Sequence, residues 1–164
     1  MPPQTLVFAL VSFLHDLFTI IWMGGIVVAA AVFLPAVKES LGAGPQTKKV
    51  MSAFQKRQSV WVYVSMAGLI LTGLLMNNRS PEFRALFSFG NAYSTALSIK
   101  HILVLVLIGI SLYRSLVLGR DASAPAPARE RLNVQLLFIN AALAVIVLLV
   151  SGFVAALAKP LSGG

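Results

Sequence analysis

The chain has two histidines, His15 and His101, and both lie inside apolar runs long enough to cross a bilayer. An ionisable side chain in hydrocarbon costs roughly 2.5–3.5 kcal/mol on insertion scales, so each needs a compensating partner. From run starts near Leu6 and Tyr93, His15 lies nine residues in and His101 eight, or roughly 12–14 Å along a helix. With four spans, the first and third helices run the same way, and the two imidazoles fall at one depth. Neutral imidazole is a good nitrogen donor to iron, copper or zinc, and bundle cores are where such ligands converge. Two histidines at one level on parallel helices match the two faces of a haem iron.

The neighbours of His15 extend that pattern. Phe18, Thr19 and Trp22 follow at i+3, i+4 and i+7, the spacing that shares a helix face. Gly24 and Gly25 then remove side-chain bulk, so aromatic rings ending in a glycine notch would suit a flat, apolar macrocycle. Lys100 stands beside His101, and Arg79 and Arg84 occupy the connection before the third span; these cations could pair with haem propionates. Asp16 points about 100° away from His15, which makes Lys100 on a facing helix its expected partner. Each feature also has a purely structural role. An intramembrane histidine can serve as an interhelical hydrogen bond worth about 0.6 kcal/mol, and a glycine pair as a close helix contact. Lys100 and Arg114 can snorkel to the surfaces.

Of the 164 residues, 58% are hydrophobic and 11% charged, against about a quarter charged in soluble domains. With a mean hydropathy of +0.87, the chain reads as an integral membrane protein in contact with lipid. Its net charge of +8 comes from basic residues between apolar runs, with no basic–aromatic patch for nucleic acid. The lack of cysteine excludes disulfides, thiolate metal sites and iron–sulfur clusters.

Four segments meet the requirement of about 20 mostly apolar residues: 6–37, 59–76, 93–118 and 132–158. The opening "MPPQTLVFAL" reads as part of the first span. Between the spans, "KESLGAGPQTKK" and "NNRSPEF" carry turn signals, and "GRDASAPAPARER" reads as an extended linker. The fold class is therefore all-α: one domain, a four-helix transmembrane bundle. Lys38, Lys48, Lys49, Lys56, Arg57, Arg114, Arg120, Arg129 and Arg131 gather at one end, against Arg79, Arg84, Lys100 and Lys159 at the other. The positive-inside rule places loops 36–58 and 115–131 in the cytoplasm and both termini on the extracytoplasmic side. The expected location is the plasma (inner) membrane of a prokaryote.

"LHDLFTIIWMGGIVVAAAVFLPAV" resembles the first helix of the copper-resistance protein D superfamily, with its histidine, Trp-x-Gly and apolar run to a basic loop. "FQKRQSVWVYVSMAGLILTG" resembles the next element of that superfamily, and "LSIKHILVLVLIGISLYRS" its Lys-bearing third helix. The resemblance covers residues 14 to about 115. Related to that group is the haem-dependent protoporphyrinogen oxidase family, in which a first-helix histidine binds haem. The resemblance gives that role to His15 and makes Lys100 the basic residue early in the third helix. The oxidase pattern also has a basic residue late in the first helix, where this chain has none before Lys38.

The first functional expectation is a small b-type cytochrome, with haem b between His15 and His101. It would serve electron transfer or simple redox chemistry with a quinone or an extracytoplasmic partner. Copper handling, implied by the superfamily, is the second; Met76, Met23 and Met66 are the available thioethers besides the initiator and Met51. A structural membrane subunit and a porphyrinogen oxidase follow. Homo-oligomers could form through Gly68, Gly73, Gly109 or Gly152, and Asn140 and Ser151 could bridge helices or touch a cofactor.

Overall fold

The computed structural model describes residues 3–76, 85–119 and 127–158. It contains four long helices: α1 (Pro3–Leu41), α2 (Pro45–Met76), α3 (Ala92–Leu118) and α4 (Pro127–Leu157). All four are long and apolar enough to cross a membrane, and no strand occurs among the described residues. Helices satisfy their own backbone groups, which lipid cannot do for them.

Each helix begins before its apolar run does, and for α2 the shift is large. The expected connection at 38–49 contracts to residues 42–44. Gly42 stops α1 at φ 69°, ψ −175°, a region essentially restricted to glycine, while its N–H donates to the Lys38 carbonyl at 2.9 Å. The Gly42 carbonyl accepts from the Thr47 hydroxyl at 2.5 Å, and Pro45 starts α2 where a missing N–H costs nothing. Thr47, Met51, Phe54, Gln55 and Gln58 then turn inward at helical spacing, with Lys49, Lys56 and Arg57 outside. Phe54 stacks on Phe33 of α1 with centroids 4.2 Å apart. At the start of α4, Glu130 pairs with Lys48 at 2.7 Å.

Two wide π turns, Ile20–Gly24 and Ala29–Phe33, interrupt α1, and Tyr113–Leu118 ends α3 in the same way. Such turns disturb helical phase and recur at functional sites. The second precedes Pro35, whose ring and missing N–H displace the carbonyl four residues back.

The bundle is two packed pairs. α1 lies along α2, and α3 lies along α4. The pairs meet where the middle of α1, residues 20–33, crosses α4, and where the last turn of α3 touches α2. The core sits at the first crossing, with Trp22, Met23, Ile26 and Ala29 meeting Met66, Leu107, Ala144 and Val147. Leu10, Phe13, Ile20, Leu71, Leu105 and Leu149 are exposed, an outer surface suited to hydrocarbon.

Two of the glycines expected to serve self-association are used within the chain. A Cβ on Gly68 would fall among the ring carbons of Phe18, and one on Gly73 would come within 3.9 Å of His15 Cε1. Gly109 and Gly152 have open space beside them.

Candidate functional site

His15 is half-buried on the α2 side of α1. Its Nδ1 lies 2.9 Å from the Thr72 hydroxyl, and that hydroxyl donates to the Gly68 carbonyl at 2.7 Å. With its single proton committed there, Thr72 can only accept from the histidine. With Thr72 donating to Gly68, Nδ1 would carry the ring proton and Nε2 would present its lone pair. An imidazole oriented through one nitrogen and open at the other is the usual preparation of a metal-ligating histidine. Thr19 donates back to the His15 carbonyl at 2.8 Å, and Phe18 lies over Gly68.

The charges near His15 come from both pairs of helices. Lys100 of α3 is near enough to His15 and Asp16 for its charge to be felt there. Asp16 and Lys100 form no ion pair within 4 Å; the pair Lys48–Glu130 at the other end is the one salt bridge among the described residues. His101, one residue on, is turned about 100° further round α3. Its ring meets Phe87 edge-on with centroids 6.1 Å apart, and the backbone of Leu86 reaches it. Its Nδ1 is buried and makes no hydrogen bond. Reciprocal bonds of 2.9 Å between Ser88 and Ser98 pin this 85–91 segment to α3, and the Asn91 side chain caps α3 by accepting from the Ser94 N–H at 2.6 Å.

The structure thus brings His15, Phe18, Thr19 and Lys100 into one neighbourhood and sets His101 against the 85–91 segment, with no ring contact between the imidazoles among the described residues. Arg84, Arg79, Arg120 and Lys159 lie outside the described residues. Trp22 does not stand beside His15 as a free wall; it is fully enclosed in the core. Gly25 is the place where the Gln58 amide of α2 comes close, 3.3 Å from where a Cβ would stand. The notch at Gly25 is a helix contact.

Compared with family models, with curated proteins and with solved structures, the chain matches none.

The opposite end of the bundle, where the α1–α2 turn lies, holds a network that the sequence did not announce. Gln55 Nε2 donates to the Arg114 carbonyl at 3.1 Å, Arg114 Nε donates to Asn133 Oδ1 at 3.0 Å, and Asn133 Nδ2 donates to Gln55 Oε1 at 3.2 Å. A second chain runs from the Tyr63 hydroxyl to Ser115 (2.6 Å), from Ser115 to Ser59 (3.0 Å), and from Ser59 to the Gln55 carbonyl (2.8 Å). Deeper in, Asn140 donates to Ser111 at 2.9 Å. Repeating polar positions were the available signal: Gln58, Ser65 and Thr72 recur every seven residues on α2, as Asn133 and Asn140 do on α4.

Beside this network opens a cleft of about 860 Å³ bordered by all four helices. Arg114, expected to snorkel, is one of its walls.

Proposed function

We propose that the chain is a haem-binding membrane protein in which His15 Nε2 is the axial ligand. The observation that carries this reading is the relay from His15 Nδ1 through the Thr72 hydroxyl to the Gly68 carbonyl. It fixes the tautomer a metal requires and costs no further hydrogen-bonding group. Phe18, held over Gly68, offers an apolar aromatic surface one turn from the ligand. Lys100, electrostatically coupled to this neighbourhood, is suited to a propionate. His101, whose buried Nδ1 has no protein partner, packs on Phe87 and would have to turn toward His15 to serve as a second ligand. A haem held here supplies one-electron redox chemistry; the protein sets its ligation, its burial and the access of partners. The resemblance to the haem-dependent protoporphyrinogen oxidase family, in which a first-helix histidine binds haem, points to the same residue, His15.

By the positive-inside rule the end carrying Lys38, Lys48, Lys49, Lys56 and Arg57 faces the cytoplasm. That orientation sets the histidines in the outer half of a prokaryotic inner membrane, with a quinol or an extracytoplasmic protein as electron partner.

The test is the visible spectrum of the protein purified from membranes, oxidised and reduced. A sharp Soret band with resolved α and β bands on reduction is expected, lost in His15→Ala. In His101→Ala the six-coordinate low-spin spectrum should convert to a high-spin one. A colourless protein holding stoichiometric copper would replace this reading with copper handling. A colourless, metal-free protein that refuses added haem would leave both histidines structural.

A further inference from the structure

The cleft at the basic end is independent of the histidines and has a chemistry of its own. Its interior is apolar, built by Ala29, Leu34, Phe54, Val134 and Leu137, and its rim carries Lys38, Lys49 and Lys56. Glu130, the one acid among the described lining residues, is paired with Lys48. The remaining lining charge is positive.

Two donors on the wall lack partners. The hydrogen bond from the Arg114 side chain leaves through Nε to Asn133, so its two terminal nitrogens have no described acceptor. Asn133 of α4 holds that guanidinium through Nε and is itself bonded to Gln55 of α2, whose amide also donates to the Arg114 backbone carbonyl. The Gln58 amide nitrogen is also buried without an acceptor. A fixed guanidinium with a free fork matches phosphate or carboxylate oxygens two at a time, and a buried unmatched donor marks a place where a ligand acceptor would be favourable.

The position narrows the ligand. Arg114 precedes the last residue of α3, Leu118, by four residues, about 6 Å of helix, which is headgroup depth. Lysines at that level attract anionic lipid by about 1 kcal/mol each. A volume of 860 Å³ with an apolar interior exceeds what a bare anion needs and lies in the range of sites for whole amphiphiles. We infer that this cleft binds one acidic phospholipid, its phosphate on Arg114 and Gln58 and the start of an acyl chain against Leu34 and Leu137.

The experiment uses the full chain in neutral detergent, with phosphatidylglycerol or phosphatidylcholine of identical acyl chains added, and native mass spectrometry to read retained lipid. One phosphatidylglycerol per chain should be retained in preference to phosphatidylcholine. Arg114→Gln should weaken retention roughly tenfold or more, as expected for a charged hydrogen-bonding group. Lys38→Gln with Lys49→Gln should weaken it by up to roughly 30-fold, the equivalent of about 1 kcal/mol for each lysine. That double variant alters only exposed side chains and stands in should Arg114→Gln not fold. Equal retention of the two lipids, or phosphatidylglycerol retention unchanged by either variant, overturns the inference. Millimolar glycerol 3-phosphate should leave the lipid in place. If it displaces the lipid, the site belongs to a soluble phosphate ester and the lipid assignment falls.

Discussion

A single methyl group added at Gly68 tests the contact that seats His15 on α2. In Gly68→Ala the new carbon would stand among the ring atoms of Phe18, with Cζ 2.6 Å away, where non-bonded carbons rest at about 3.5–4.0 Å. The ring must move by roughly an ångström or the two helices must part. Overpacking of this kind costs about 1–3 kcal/mol. Alanine recovers about 1 kcal/mol of helix propensity, leaving a net loss of roughly 0–2 kcal/mol. The clash belongs to one pair, so removing the ring should remove it. In a double-mutant cycle, Phe18→Ala with Gly68→Ala should be more stable than the two single losses predict, by about 1–3 kcal/mol. Reversible unfolding in detergent micelles measures all four corners. If the two changes simply add, Phe18 does not lie over Gly68 and His15 is not seated on α2 by that contact.

Four further outcomes follow from the geometry. Thr72→Val keeps shape but removes the acceptor for His15 Nδ1; haem titration should show affinity falling about 10–100-fold, with Thr72→Ser near the parent. Gly42→Ala places a side chain at φ 69° and should lower the unfolding midpoint by the equivalent of about 1–3 kcal/mol. Asn133→Leu leaves both Arg114 Nε and Gln55 Oε1 without their partner and should cost about 1–2 kcal/mol, read in the same micelle assay; a neutral result would mean that the network is not closed. Glu130→Gln breaks an ion pair whose side chains are about half exposed and should change stability by less than about 1 kcal/mol, an effect that added salt should erase.

Hydropathy alone disclosed the four long apolar helices and set both histidines inside them, because those depend only on where apolar runs begin and end. Three other features escaped it, each for a physical reason. The first turns of α2 mix lysines with Met51 and Phe54, so their average polarity resembles a loop; the helix is legible only in the spacing of the inward residues. The phase of α1 is the second. Trp22 shares a face with His15 on an ideal helix, but the wide turn beginning at Ile20 advances fewer degrees per residue. The indole is enclosed in the core. Third, Thr72 carries no signal of its own, being an ordinary small polar residue until α1 delivers an imidazole to it. The cleft also arises only when all four helices assemble, and Arg114 reads as a snorkelling side chain until Gln55 and Asn133 are beside it.

Gln55 and Thr72 belong to the same uninterrupted stretch of α2, seventeen residues or roughly 25 Å apart at the usual rise. One donates to the Arg114 backbone carbonyl at the lysine-rich end; the other lies against the His15 imidazole toward the opposite end. A stiff rod of that length, pivoted near its middle, swings its ends in opposite senses, and a tilt of about 3° displaces each by roughly 0.7 Å. A shift of that size would stretch the bond between Thr72 and His15 well beyond its 2.9 Å. A tilt of α2 would therefore be felt at both ends of the bundle, at the Arg114 carbonyl and at the His15 ring.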